Sequence, residues 1–373
     1  MPATGLAHAP RGEPADPRLA FDAVHRALAK LRSSRARRVL LFLSGHFNKN
    51  PAPAIHAAAR AAQTTQIAGC TAVGVYTEDD WVIDQPAAAA MVFGVDEPSD
   101  SNARDDGDDT ELTPALAARD GDWLLSLATP NGASREWLSM PGRRIGAIAG
   151  DNDGRGPFPV WSSGKLLDSG RLDLHLPADC RVSVSPGLTP LSSLLGVTEV
   201  KDFDLMKVGN RPALAALVSQ ALPHLQGGQP FPWHRLLIAR ADDEPRLALA
   251  SGEYELVPVL GVSPTRSLVV GGRLLEGERV FSVLREPEVA KQELDVKLTT
   301  ARRGRGRAPR YVLLFSCAGR GPGFFGGRDA DWESVRRLYP KTSMIGFYGN
   351  GEIAAISNRN RLLQFASVCA LVG

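Results

Sequence analysis

One pattern occurs three times in this chain and constrains its fold more than anything else. The first copy runs from Arg38-Val-Leu-Leu-Phe-Leu-Ser44 through an alanine-rich, helix-like stretch, Pro53 to Gln63, to Ile67-Ala-Gly-Cys-Thr-Ala-Val-Gly74. The second runs from Trp123-Leu-Leu-Ser-Leu-Ala128 to Ile145-Gly-Ala-Ile-Ala-Gly150. The third runs from Tyr311-Val-Leu-Leu-Phe-Ser316, through a helix over Ala330 to Tyr339 that Pro340 stops, to Met344-Ile-Gly-Phe-Tyr-Gly-Asn-Gly-Glu-Ile353. Each copy reads strand, polar or Gly-rich loop, helix, strand, glycine turn. Continuous apolar strands alternating with helices predict an α/β fold of repeated strand-loop-helix-strand units, whose sheets are buried on both faces. Ligands in such folds sit where strands end and loops begin, and the glycine clusters lie there.

Between the copies the texture changes. Residues 1–20 are rich in Pro, Gly and Ala and are expected to be disordered. Residues 96–111 (DEPSDSNARDDGDDTE) read as an acidic, solvated loop. Leu172 to Val184 and Arg246 to Gly261 read as strands and turns. Arg211 to Leu222 reads as a helix, with Asn210 as its cap and Pro212 in its first turn. Ala290 to Thr300 reads as another, with Ala290, Leu294 and Leu298 spaced by four. Pro223 to Trp233 breaks regular structure. At 373 residues two domains are expected, and the break places them at 21–232 and 233–373.

Several function classes are disfavoured. A formal charge of +2 argues against a dedicated nucleic-acid binder, and Arg302-Arg-Gly-Arg-Gly-Arg307 reads as a solvated loop. No signal-type apolar core opens the sequence and no run is long enough for a membrane helix, so a cytoplasmic protein without membrane insertion is expected. Cys70, Cys180, Cys317 and Cys369 form no CxxC pair, and the seven histidines show no HxxxH or HxH spacing, so no metal is expected. GRGPG lacks the third glycine of a dinucleotide loop because Phe324 stands there.

The candidate site is the strand-end pair of the third copy. Arg320, framed by Gly319 and Gly321, can grip a carboxylate through two parallel hydrogen bonds. Glu352 ends the partner strand and suits an ammonium group, so the two together suit a zwitterion. The alternative is that Arg320 and Glu352 pair only with each other. Cys317, Gly346, Phe347, Tyr348 and Gly351 complete this set, and Gly69, Cys70 and Thr71 form its counterpart in the first copy. The glycines serve either ligand contact or tight turns. Cys317 as a nucleophile would need an acidified thiol beside a base; otherwise it is a packing residue. A haem needs only one axial histidine, and His46, at the strand end matching the Cys317 loop, is the first choice.

These residues carry a family resemblance. SCAGRG (316–321) followed by GFYGNGEI (346–353) resembles the C-terminal signature of FIST proteins (F-box and intracellular signal transduction). AGCTAVG (68–74), GVTEV (196–200) and NRPALAAL (210–217) are similar to segments of the family's N-terminal domain. The resemblance spans residues 38 to 373 and implies a FIST N-like domain followed by a FIST C-like domain. It implies a sensory protein that binds a small, carboxylate-bearing, amino-acid-like ligand and signals through a separate histidine kinase, chemoreceptor or cyclase. It also leaves a haem gas sensor open, beside the cysteine-dependent enzyme. Val75 stands where many relatives carry an acidic residue.

Overall fold

The computed structural model describes residues 1–31, 35–95, 111–219, 233–304 and 306–373. They divide into two compact units, Met1–Ser185 with Leu294–Gly373, and Pro186–Glu293. The first unit opens with β1 (Ala3–His8) and α1 (Arg18–Lys30). Repeat 1 follows as β2 (Ala36–Ser44), α2 (Ala52–Ala62), β3 (Ile67–Ala72), β4 (Gly74–Thr77), β5 (Trp81–Ile83) and β6 (Ala87–Gly94). Repeat 2 is β7 (Trp123–Ala128), α3 (Arg135–Ser139), β8 (Arg143–Ile148), β9 (Val160–Ser162), β10 (Lys165–Leu166) and β11 (Arg171–Leu176), after which comes β12 (Arg181–Ser185). The second unit holds β13 (Leu188–Pro190), β14 (Leu195–Lys201), β15 (Asp204–Val208), β16 (Arg211–Pro212), α4 (Ala213–Leu217), β17 (Leu236–Arg240), α5 (Pro245–Ser251), β18 (Glu255–Val262), β19 (Leu268–Val270) and β20 (Arg279–Arg285). After α6 (Pro287–Arg303), repeat 3 runs β21 (Tyr311–Cys317), α7 (Ala330–Leu338), β22 (Ser343–Gly349), β23 (Glu352–Ile356), β24 (Arg359–Leu363) and β25 (Ser367–Val372).

The three repeats are built alike. In each, the first two strands pair in parallel across the helix: β2 with β3, β7 with β8, β21 with β22. The last strand of each repeat returns antiparallel on the first: β6, β11 and β25. The strand after the glycine turn leaves its own sheet and joins the next. Thus β4 pairs with β22, β23 with β8, and β9 with β3, which closes a cycle of exchanged strands. Backbone bonds at the turns repeat the cycle: Val73 N–H to Tyr348 C=O, Asn350 N–H to Ile148 C=O, and Gly150 N–H to Thr71 C=O, at 3.0–3.1 Å.

This exchange explains the repeated glycines. Gly69, Gly146 and Gly346 sit opposite Leu41, Ser126 and Leu314 in the parallel pairs. A Cβ at these glycines would lie 1.7, 1.8 and 1.7 Å from the carbonyl oxygen of those partners. On the other side each faces a large residue of the incoming strand: Trp161, Ile353 and Tyr76. Gly69 and Gly346, expected among the ligand-binding residues, are therefore required by packing.

The second unit is a small antiparallel barrel, its six strands closing in the order β20, β14, β15, β19, β18, β17 and back to β20. Val197, Leu205, Val208, Leu236, Ile238 and Val280 are among its core residues. Closure removes the exposed edges an open sheet would carry.

The structure departs from four expectations. Residues 1–20 are not without structure: β1 pairs with β6 over Ala3↔Val92 to His8↔Ala87. The small side chains that resemble low complexity allow close packing, since a Cβ on Gly5 would lie 2.1 Å from the Ala23 carbonyl of α1. The division at 232 does not match the compact units, because β22 and β23 pair with strands of repeats 1 and 2 and draw both chain ends into one body. The break over 223–233 and the acidic stretch 96–111 fall outside the described residues except at Trp233 and Glu111. The helix over 211–222 is shorter, Ala213–Leu217, and 246–251 is helical within α5. Among the described residues no helix is long and apolar enough to cross a membrane.

Candidate functional site

The expected site lies in repeat 3, where β21 runs out into a 3-10 turn, Ala318–Arg320. The loop reaches α7 at Asp329, whose carboxylate caps the helix by accepting the Trp332 N–H at 2.9 Å. Gly319 and Gly323 are exposed, as are Gly326 to Arg328, whereas the Arg320 side chain turns inward and is fully buried.

Arg320 meets Asp331, in the first turn of α7, with Nε to Oδ2 at 2.8 Å and Nη2 to Oδ1 at 3.1 Å. Its Nη1 donates to the Ser185 carbonyl and its Nη2 to Ser185 Oγ, both at 2.9 Å. The fork that was expected to hold a ligand carboxylate is thus occupied by a carboxylate of the chain itself. The pairing alternative is corrected as well: the hydrogen-bonded partner is Asp331, not Glu352. The sequence signal for this is weak, because an aspartate in a first helical turn also reads as a charge placed on the helix dipole.

Glu352 is the other buried charge. Its Oε2 accepts the Ala366 N–H at 3.2 Å, and its Oε1 has no partner among the described residues. Burial pushes its pKa well above the usual carboxylate range, against the opposing effects of the Ala366 bond and the Arg320 charge. Asp329 is held up to about 7, by burial first and then by Asp331. Its Oδ2 accepts from the Tyr348 hydroxyl. Tyr348 packs edge-on against Tyr76 at 4.9 Å, and the Tyr76 hydroxyl donates to the Leu314 and Phe347 carbonyls at 2.9 and 3.1 Å. One arginine therefore sits among Asp329, Asp331 and Glu352, all buried.

The structure brings Arg320, Gly321, Tyr348 and Glu352 of the expected set into this network. A Cβ at Gly321 would touch the Tyr348 ring at 3.3 Å. Phe347 faces elsewhere, packed against Phe42 and Phe315 with ring centroids 4.8 and 5.1 Å apart. Gly351 takes φ 144°, as its turn requires. Gly69, Cys70 and Thr71 lie on β3 in a different sheet. Cys317 is 8% exposed, and the other three cysteines are buried too; burial raises the Cys70 thiol pKa, the reverse of what a nucleophile needs. His46 sits at the end of β2 with Nδ1 3.2 Å from Ser44 Oγ. Burial lowers its pKa, and Asp84 and Asp153 oppose that shift. Asp329, Asp331, Tyr76 and Ser185 were not singled out from the sequence. Only Asp329 carried a local signal, as a residue suited to cap the helix that follows.

Residues 220–355 match the family model of the FIST C domain. Over that segment the chain is similar to FIST C domains. The match includes β17–β20 and β21–β22 and ends within β23, and so contains both Cys317–Gly321 and Gly346–Glu352. Two curated relatives are similar over part of their length. Uncharacterized protein Rv0628c of Mycobacterium tuberculosis (strain ATCC 25618 / H37Rv) is 28% identical over 235 residues, covering 62% of this chain and 61% of that one. Uncharacterized protein Mb0898c of Mycobacterium bovis (strain ATCC BAA-935 / AF2122/97) is 29% identical over 238 residues, with the same coverage. The chain thus spans about three fifths of the length of the curated relatives it matches.

Proposed function

We propose that this chain is a sensory module that encloses a small ligand behind the Gly319–Gly327 loop and passes its state to a separate signalling protein, a histidine kinase, chemoreceptor or cyclase. The ligand class is an amino-acid-like or other small organic acid, presenting a carboxylate or carbonyl oxygen. The observation that carries the reading is Glu352 Oε1, a fully buried polar atom without a partner among the described residues. Such atoms are rare in native proteins and costly. A neutral Glu352 donates its O–H to the ligand oxygen, and Arg320 contributes its field while its hydrogen bonds stay with Asp331 and Ser185. Entry requires the loop to open; Gly326 and Gly327 take positive φ, a Cβ at either would meet nothing within 4 Å, and opening would have to break the Gly327 N–H bond to the Pro322 carbonyl, 2.8 Å long. Signalling then follows if the ligand favours one loop state over the other.

The test is a thermal-shift screen with amino acids and small organic acids on the protein and on Glu352→Leu. The reading expects at least one compound to raise Tm in the wild type and not in the folded variant. A panel without any shift, or a shift that survives Glu352→Leu, contradicts it.

A further inference from the structure

The three repeats can be compared position by position, and repeat 1 differs from repeat 3 in a way that points to a second site. Gly69 and Gly346 are equivalent, since each opposes the first strand and an incoming aromatic, Trp161 or Tyr76. Two residues further along, Thr71 therefore stands where Tyr348 stands. At the matching place in repeat 3 both hydroxyls are satisfied: the Tyr76 hydroxyl donates to two carbonyls and the Tyr348 hydroxyl donates to Asp329, the residue that leads into α7.

In repeat 1 the corresponding atoms are not satisfied. Trp161 Nε1 and Thr71 Oγ1 have no partner among the described residues, and both side chains are fully buried. Asn48, in the loop that leads into α2, is 5% exposed, and its Oδ1 is also unpartnered. Its amide orientation is set by Asp151, whose Oδ2 accepts Nδ2 at 3.0 Å. Asp151 follows Gly150, whose N–H bonds the Thr71 carbonyl, so Asn48 and Thr71 are joined through one short connection. A donor, a hydroxyl and an acceptor are thus contributed by β9, β3 and the loop that leads into α2, elements linked by the β3–β9 pairing and the Asn48–Asp151 bond. Threonine is also smaller than the tyrosine that stands at this place in repeat 3.

We propose that the strand end of repeat 1 is a second binding site, in which Trp161 Nε1, Thr71 Oγ1 and Asn48 Oδ1 take a small hydroxyl- or amide-bearing molecule into the place that the Tyr348 ring fills in repeat 3. The ligand must accept from the indole and donate to the amide, which a hydroxyl, a primary amide or an amino alcohol does. Asp84, Asp151 and Asp153 stand on the adjoining loops, with Asp84 and Asp153 close enough to act on His46. That acidic surround selects a neutral or cationic molecule and rejects a small carboxylate. The chemistry is therefore distinct from that proposed at Glu352, and the two readings can fail separately.

The test follows the indole N–H resonance of Trp161, assigned with Trp161→Phe, while ethanolamine, acetamide and acetate are titrated into the full chain. The proposal expects a saturable downfield shift with ethanolamine or acetamide and none with acetate. Thr71→Val, which keeps the shape and removes the hydroxyl, should weaken that response about tenfold, the loss of roughly one good hydrogen bond. Thr71→Tyr should fold, with Tm at or above the wild type, and abolish the response. No saturable shift with either probe leaves a buried water only and overturns the proposal. A response unchanged in Thr71→Val overturns it too, as does a Thr71→Tyr protein that cannot fold, since the space would then not exist.

Discussion

Arg320 and Asp331 form a two-point ion pair, 2.8 Å from Nε to Oδ2 and 3.1 Å from Nη2 to Oδ1, with both side chains excluded from solvent. Removing one partner leaves the other as an uncompensated buried charge. Arg320→Ala should therefore destabilise the protein by about 3–5 kcal/mol in denaturant unfolding. Arg320→Lys should recover little, because an ammonium cannot reproduce the planar fork. The double variant Arg320→Met with Asp331→Leu should recover most of the loss. A surface-like effect near zero for Arg320→Ala would show that the pair does not hold the loop.

The packing glycines make a sharper prediction. Gly69→Ala, Gly146→Ala and Gly346→Ala each drive a methyl to within 1.8 Å of a backbone oxygen in a paired strand. Each should cost more than about 3 kcal/mol or abolish folding, at the severe end of overpacking. Gly323→Ala, with nothing within 4 Å, should stay within about 0.5 kcal/mol of wild type.

Stability should fall as pH rises from about 4 towards 7. In the unfolded chain Asp329 and Glu352 titrate near the ordinary carboxylate values of about 4. In the folded protein Asp329 titrates at about 7, and Glu352 well above its normal value. Between those limits the native state binds more protons than the unfolded state, so the slope of unfolding free energy against pH is negative. Asp329→Asn should flatten that slope in urea titrations between pH 4 and 7. An unchanged slope would contradict the raised value.

The thiols should be slow to react. Cys70, Cys180, Cys317 and Cys369 are all buried, so a thiol reagent should modify the native protein far more slowly than the unfolded one at every pH. Rapid labelling of Cys317 at mildly acidic pH would instead favour the cysteine-dependent enzyme.

How much of this was legible in the sequence varied with the range of the interaction involved. The three repeats were visible because each apolar strand and its glycine turn are local patterns. The exchange of β4, β9 and β23 between sheets was not, because pairing partners such as Gly346 and Tyr76 lie far apart in sequence. Hence the glycines were recognised as special, and their reason, contact with a neighbouring carbonyl, became clear only from the pairing. Arg320 was singled out as a ligand-binding residue, but its partner Asp331 looked like an ordinary first-turn aspartate. The N-terminal strand was hidden for the opposite reason: Ala and Gly suit tight packing and also low complexity. The barrel interrupts the repeats between Ser185 and Leu294, and no local signal marks where a chain leaves one core and returns to it.

The proposed protonated state of Glu352 and its unfilled hydrogen bond can be tested directly by infrared difference spectroscopy, with carbon-13-labelled glutamate and a ligand found in the thermal-shift screen. The account predicts a neutral carboxyl band in the unliganded protein that moves to lower frequency on ligand addition and is missing in Glu352→Leu. A carboxylate band at neutral pH, or a neutral band that no ligand moves, would contradict it.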